Sequence, residues 1–68
     1  MDKYQVRVFL YAYGKNFKEM REKTKLTQLQ VANFIGCSQA IISHIECGFM
    51  LPPPYIEEAL NKFYEKGR

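Results

Sequence analysis

Between residues 26 and 61 this 68-residue chain has no lysine and no arginine. Its fixed positive charge is confined to the ends. Residues 1–25 hold Lys3, Arg7, Lys15, Lys18, Arg21, Lys23 and Lys25 against Asp2, Glu19 and Glu22; residues 62–68 hold Lys62, Lys66 and Arg68 against Glu65. Cysteine and histidine are scarce. Cys37 and Cys47 are not spaced as CxxC, and His44 is the single histidine, so a zinc site is not expected. Both cysteines read as reduced thiols, Cys37 the more buried. No apolar run approaches the length of a membrane span and no signal-peptide pattern is present, so the expected location is the cytoplasm. No acid–base pair, metal cluster or phosphate loop is recognisable, so neither an enzyme nor a cofactor is expected. Repeats and low-complexity tracts are absent.

What is present suits one small domain. Hydrophobic residues make up 47% and aromatics 15%, enough to build a core and too much for disorder. The net charge of +3 and pI near 9.0 favour an anionic partner.

Residues 3–13 are rich in β-branched and aromatic types. Tyr4, Val6, Val8, Leu10 and Ala12 alternate with Gln5, Arg7, Phe9, Tyr11 and Tyr13, a mixed period-2 pattern. It reads as a strand interrupted by Gly14, with an N-terminal extension of the first helix as the alternative. Asn16 with Glu19 resembles a capping box, which would start a first helix near Phe17 and run it to Lys23. Pro52, Pro53 and Pro54 form a stiff connector, and a last helix begins at the final proline with Ile56, Leu60 and Phe63 as its apolar stripe.

The most informative stretch is Thr27 to Gly48. Thr27 with Gln30 forms a capping-box start. Val31, Ala32 and Ile35 are apolar at helical spacing. Gly36 is free to turn left-handed, Ser38 can cap a second helix, and Ile42 and Ile45 follow at i, i+3 before Gly48. The expected helices are Gln28–Ile35 and Gln39–Cys47. Two short helices around a glycine turn are the unit that places a recognition helix in a DNA major groove.

From Gly14 to about Leu60 the chain resembles the Cro/CI-type helix-turn-helix domains of phage repressors and related bacterial regulators. The matches are Arg21 in the first helix, then Leu26-Thr27-Gln28, then Ala32 with Gly36 four residues on. They continue with Ile42-Ser43 and Ile45-Glu46, Gly48, and Pro52 four residues later. The resemblance implies an all-α, four-helix domain over residues 14–66. Residues 1–13 lie outside the family pattern and are expected to form an added β-strand that pairs with a second subunit or adds an edge to the core, a dimerisation element. It implies that Val31, Ile35, Cys37, Ile42 and Ile45 form a miniature core, with Ala32 small because two helices cross there. It also implies an ion pair between Arg21 and Glu46.

By the same resemblance, Gln28 would bind a phosphate, and Ser38, Gln39 and Ala40 would face base edges. Gln39 could read adenine and Ala40 touch a thymine methyl. Ser43 and His44 would lie one turn on, and Lys15, Lys18 and Lys25 would support the phosphates. The implied function is a sequence-specific transcriptional regulator of phage or mobile-element type, nucleoid-associated. It would act as a dimeric repressor on double-stranded DNA carrying a palindromic operator.

The chain departs from the family pattern in two ways. The expected recognition helix has no lysine or arginine, which implies modest affinity per monomer. Leu29, Phe34, Ile41, Phe49 and Met50 are apolar where the family exposes polar residues. These features favour an alternative, the same fold used as a protein-binding module such as an antirepressor, antitoxin or inhibitor.

Overall fold

The computed structural model describes residues 2–66. Four helices follow in order: α1 (Lys3–Thr24), α2 (Gln28–Ile35), α3 (Gln39–Glu46) and α4 (Pro54–Lys66). The domain is all-α as expected, and no strand occurs among the described residues. The N-terminal strand is therefore corrected. Residues 3–13 are the first turns of a 22-residue helix, and the expected boundary between residues 13 and 14 falls inside it.

The reasons are local and tertiary. Asp2 is the N-cap: its Oδ1 accepts from the Gln5 N–H at 2.8 Å, and Gln5 Oε1 accepts from the Asp2 N–H at 3.1 Å. This reciprocal capping box starts the helix fourteen residues before Asn16, which is exposed in mid-helix and caps nothing. The alternation of residues 4–13 carried little information about a buried face because both of its sets are largely apolar. The informative period is 4, 3, 4, 3 along Val6, Leu10, Tyr13, Phe17 and Met20. Phe17 on that seam is buried, and Tyr13 and Met20 pack against the core. A helix also satisfies its backbone groups internally, whereas a lone strand needs a partner. At its end, Lys25 adopts a left-handed conformation (φ 62°, ψ 27°) and donates its N–H to the Glu22 carbonyl.

Each helix contributes to one core of Phe17, Val31, Ala32, Ile42, Ile45, Ile56, Leu60 and Tyr64. Helix α3 packs against α1 and α2, and α4 closes against the same two. Ala32 is fully buried, and Ile35 and Cys37 pack against the cluster from its edge. In α4, Ile56 and Leu60 point inward as expected, but Tyr64 takes the third inner position while Phe63 is half-buried.

Gly14 explains how a long helix can lie on α3. A Cβ at this position would stand 2.0 Å from the Ile45 carbonyl oxygen, so the two backbones touch with no room for a side chain. The contact recurs one turn earlier: a Cβ on Gly48 would stand 2.7 Å from the Tyr11 Cα, and Gly48 has φ +79°. Between α1 and α4, the Tyr13 hydroxyl donates to the Glu57 carboxylate.

Two predictions follow from this packing. Glycine to alanine inside a helix ordinarily stabilises by about 0.5–1 kcal/mol. Gly14→Ala should instead destabilise by about 1–3 kcal/mol through forced backbone separation, read by urea denaturation. The second concerns alkaline pH. The hydrogen bond to Glu57 raises the Tyr13 pKa from 10.0 to about 12, and burial does the same for Tyr64. A raised folded-state pKa means full stability below the unfolded value and loss above it. Stability should hold to about pH 10 and fall as pH rises towards 12, read by urea denaturation across that range.

Candidate nucleic-acid interface

The geometry is built from α2, its turn and α3. Thr27 Oγ1 accepts from the Gln30 N–H at 3.1 Å while Gln30 Oε1 accepts from the Thr27 N–H at 2.9 Å, so α2 starts on a full capping box. Gly36 closes it at φ +87°, and the Ala32 carbonyl accepts from the N–H groups of Gly36 and Cys37. Ser38 then caps α3, its Oγ accepting from the Ile41 N–H at 3.3 Å. At the far end Gly48 and Phe49 donate their N–H groups to the carbonyls of Ile45 and His44. Each helix end thus has a sequence-encoded stop or start.

With Ile42, Ile45 and Glu46 turned inward, α3 presents Gln39, Ala40 and His44 to solvent and Ser43 in part. These positions, with Cys47 one turn on, share one face of the helix. Ser38 is exposed at its start. The expected base-reading residues are therefore brought together on one accessible surface. Phe49 joins it: its ring lies 5.9 Å from that of His44. That aromatic contact went unforeseen because it depends on the chain reversing at Gly48.

Behind this face lies a buried charge network. Arg21 Nε donates to Glu46 Oε2 at 2.8 Å, and Nη2 donates to Glu46 Oε1 at 3.1 Å. The Glu46 side chain is only 2% exposed and that of Arg21 13%. Arg21 Nη1 also donates to the Leu26 carbonyl at 2.8 Å, which ties the α1–α2 turn to the pair. Hydrogen bonding to Glu46 raises the Arg21 pKa further, so the guanidinium stays charged. The expected ion pair is present and bidentate.

Gln28 differs in part from its expected role. It is half-buried, and its amide donates to Glu46 Oε1 at 3.1 Å. One of its two N–H donors is thus committed inside the protein, which leaves one for an outside ligand. Lys15 and Lys18 are exposed and line, with Tyr11, Gln28, Cys47 and the carboxylates of Glu19, Glu22 and Glu46, a groove of about 390 Å³ beside the network. Lys25, at the C-cap of α1, does not line that groove. Sequence spacing alone gave no sign that Tyr11 would join these residues, because it lay in the segment read as a strand.

Both cysteines are free, Cys37 half-buried and Cys47 exposed. Burial pushes the Cys37 thiol pKa up, which keeps it protonated. Among the described residues no group of three or more His, Cys, Asp or Glu is arranged to hold a metal. No helix among them is long and apolar enough to cross a membrane. No protein-family model, curated protein or solved structure matches this chain.

The network should behave as a buried pair. Arg21→Met leaves the Glu46 carboxylate without its cation and should cost about 3–5 kcal/mol. Arg21→Met with Glu46→Leu should cost clearly less than the sum of the single changes. A double-mutant cycle in urea measures the coupling, and additive losses would mean that the pair contributes nothing jointly.

Proposed function

We propose that this chain is a sequence-specific DNA-binding regulator of the Cro/CI type, a homodimeric repressor that inserts α3 into the major groove of a palindromic operator. The observation that carries the reading is the exposed face of α3. Ser38, Gln39, Ala40, Ser43 and His44 stand together there on a helix whose opposite face is buried. Ser38, Ala40 and Ser43 are short and Gln39 bears an amide, the types that reach base edges, and His44 adds an imidazole beside them. A rigid mounting supports it, because base readout needs the helix held in one orientation. The Arg21–Glu46 pair supplies that brace from α1.

Affinity follows from the charge distribution. Lys15 and Lys18 beside Gln28, with Lys25 further along, are the cations available for phosphates, and α3 adds none. Each phosphate neutralised contributes a slope of about −0.9 to the dependence of log affinity on log salt. With so few contacts per subunit, a monomer binds weakly and two half-sites about one helical turn apart are required.

A second reading has its own observation. Phe34 and Phe49 are each 70% exposed, and Leu29 and Leu51 each 52%. Such residues beside an α3 without lysine or arginine suit a protein partner better than a polyanion.

Selection from random duplexes at two salt concentrations separates the readings. DNA recognition predicts an enriched palindrome. Gln39→Ala should then relax preference at one base pair, at a cost of about 1–3 kcal/mol. If no sequence is enriched and only weak salt-sensitive binding remains, the DNA reading fails and the partner reading takes its place.

A further inference from the structure

The first turns of α1 stand clear of the domain. Every residue from Lys3 to Phe9 is exposed, although this stretch contains Tyr4, Val6, Val8 and Phe9. β-branched and aromatic residues are mediocre helix formers, and a helix end without tertiary contacts is marginal in water. Its apolar residues form two seams. One, through Val6, Leu10 and Tyr13, continues into the core. The other, on the opposite flank, runs Tyr4, Val8, Tyr11 at spacings of four and three, the repeat of a helix-pairing seam. These three are 77%, 51% and 59% exposed.

We infer that a second copy of this chain occupies that seam, as an antiparallel helix pair centred on Val8. The occupant is argued from area and charge. The seam residues Tyr4, Val8 and Tyr11 expose on the order of 400 Å² per copy, given their exposed fractions and the size of such side chains. Two copies would therefore bury on the order of 800 Å², below the standard size, which makes the pair a weak and reversible one. Antiparallel pairing sets Tyr4 opposite Tyr11 of the second copy and Val8 against its own counterpart. It also carries Lys15, one turn past Tyr11, alongside the partner's Asp2, so each end of the seam gains an opposite-charge pair. A parallel pair would instead set Lys15 against Lys15 in the next layer of the same seam. Arg7 flanks the centre in both copies, and that like-charge approach keeps the dimer modest in affinity. The seam gives a location to the dimer of the DNA-binding reading and in that respect rests on it.

The test is sedimentation equilibrium of the full chain without DNA, from about 1 to about 100 μM, the range that brackets a dimer of modest affinity. A concentration-dependent dimer is expected, weakened at least tenfold by Val8→Glu with helix content unchanged by circular dichroism. Orientation is read by cross-linking in a Cys37→Ser, Cys47→Ser background. Val8→Cys should link two copies under oxidation, whereas Tyr4→Cys, far from its own counterpart in an antiparallel pair, should not. A chain that stays monomeric throughout overturns the inference, as does one whose association ignores Val8→Glu. Equal linking at Tyr4→Cys overturns the antiparallel arrangement. A monomer that binds phosphatidylserine vesicles through Val8 overturns it in favour of a lipid surface. Half-site DNA binding is measured separately. Its loss with the dimer intact sinks the DNA reading alone, and its retention in a monomer sinks the interface alone.

Discussion

The orientation of α3 depends on the carboxylate of Glu46. One oxygen accepts from Arg21 Nε, and the other from Arg21 Nη2 and Gln28. The same guanidinium reaches the Leu26 carbonyl. One buried anion therefore links the last turn of α1, the turn after it, the start of α2 and the end of α3. A carboxylate this deeply buried is unfavourable unless its lone pairs are satisfied, and here both oxygens are engaged. The bidentate geometry fixes direction as well as distance, which a hydrophobic contact of the same area would not. The outward face of α3 is set by this constraint together with Ile42 and Ile45.

The second constraint is the contact of α1 with the end of α3. Gly14 and Gly48 remove side chains where the backbones touch, and that brings a long straight helix across the C-terminus of a short one. The consequence reaches beyond the contact. Because α1 lies so close, Tyr11 and Lys15 come beside Gln28 and Cys47, and the helix overshoots the body by two turns. The domain thus has a polar outward surface on α3 and an apolar one on the free end of α1, and the two meet where Tyr11 and Lys15 line a groove with Gln28 and Cys47.

Much of the fold was legible in residue order because its signals are local. The bounds of α2 follow from Thr27, Gln30 and Gly36, and those of α3 from Ser38 and Gly48, within one residue of the observed helices. Caps and left-handed glycines act over three or four residues, so no tertiary knowledge is needed to see them. The Arg21–Glu46 pair came instead from the family resemblance, since 25 residues separate the two. The N-terminal segment was misread because β-branched and aromatic residues suit strands in general. Asp2 with Gln5 and the seam from Val6 to Met20 outweigh that tendency once Phe17 is buried.

The sequence by itself determined the helical punctuation, the apolar stripes of α2, α3 and α4, and the confinement of positive charge to the ends. These depend on spacing and on residue chemistry alone. Only the tertiary structure decided that Gly14 is a contact rather than a break, that Gln28 turns partly inward to Glu46, and that Tyr64 rather than Phe63 reaches the core. Each of these is a competition between surroundings distant in sequence. A glycine that looks like an interruption becomes the best helical residue available once another backbone must pass within touching distance.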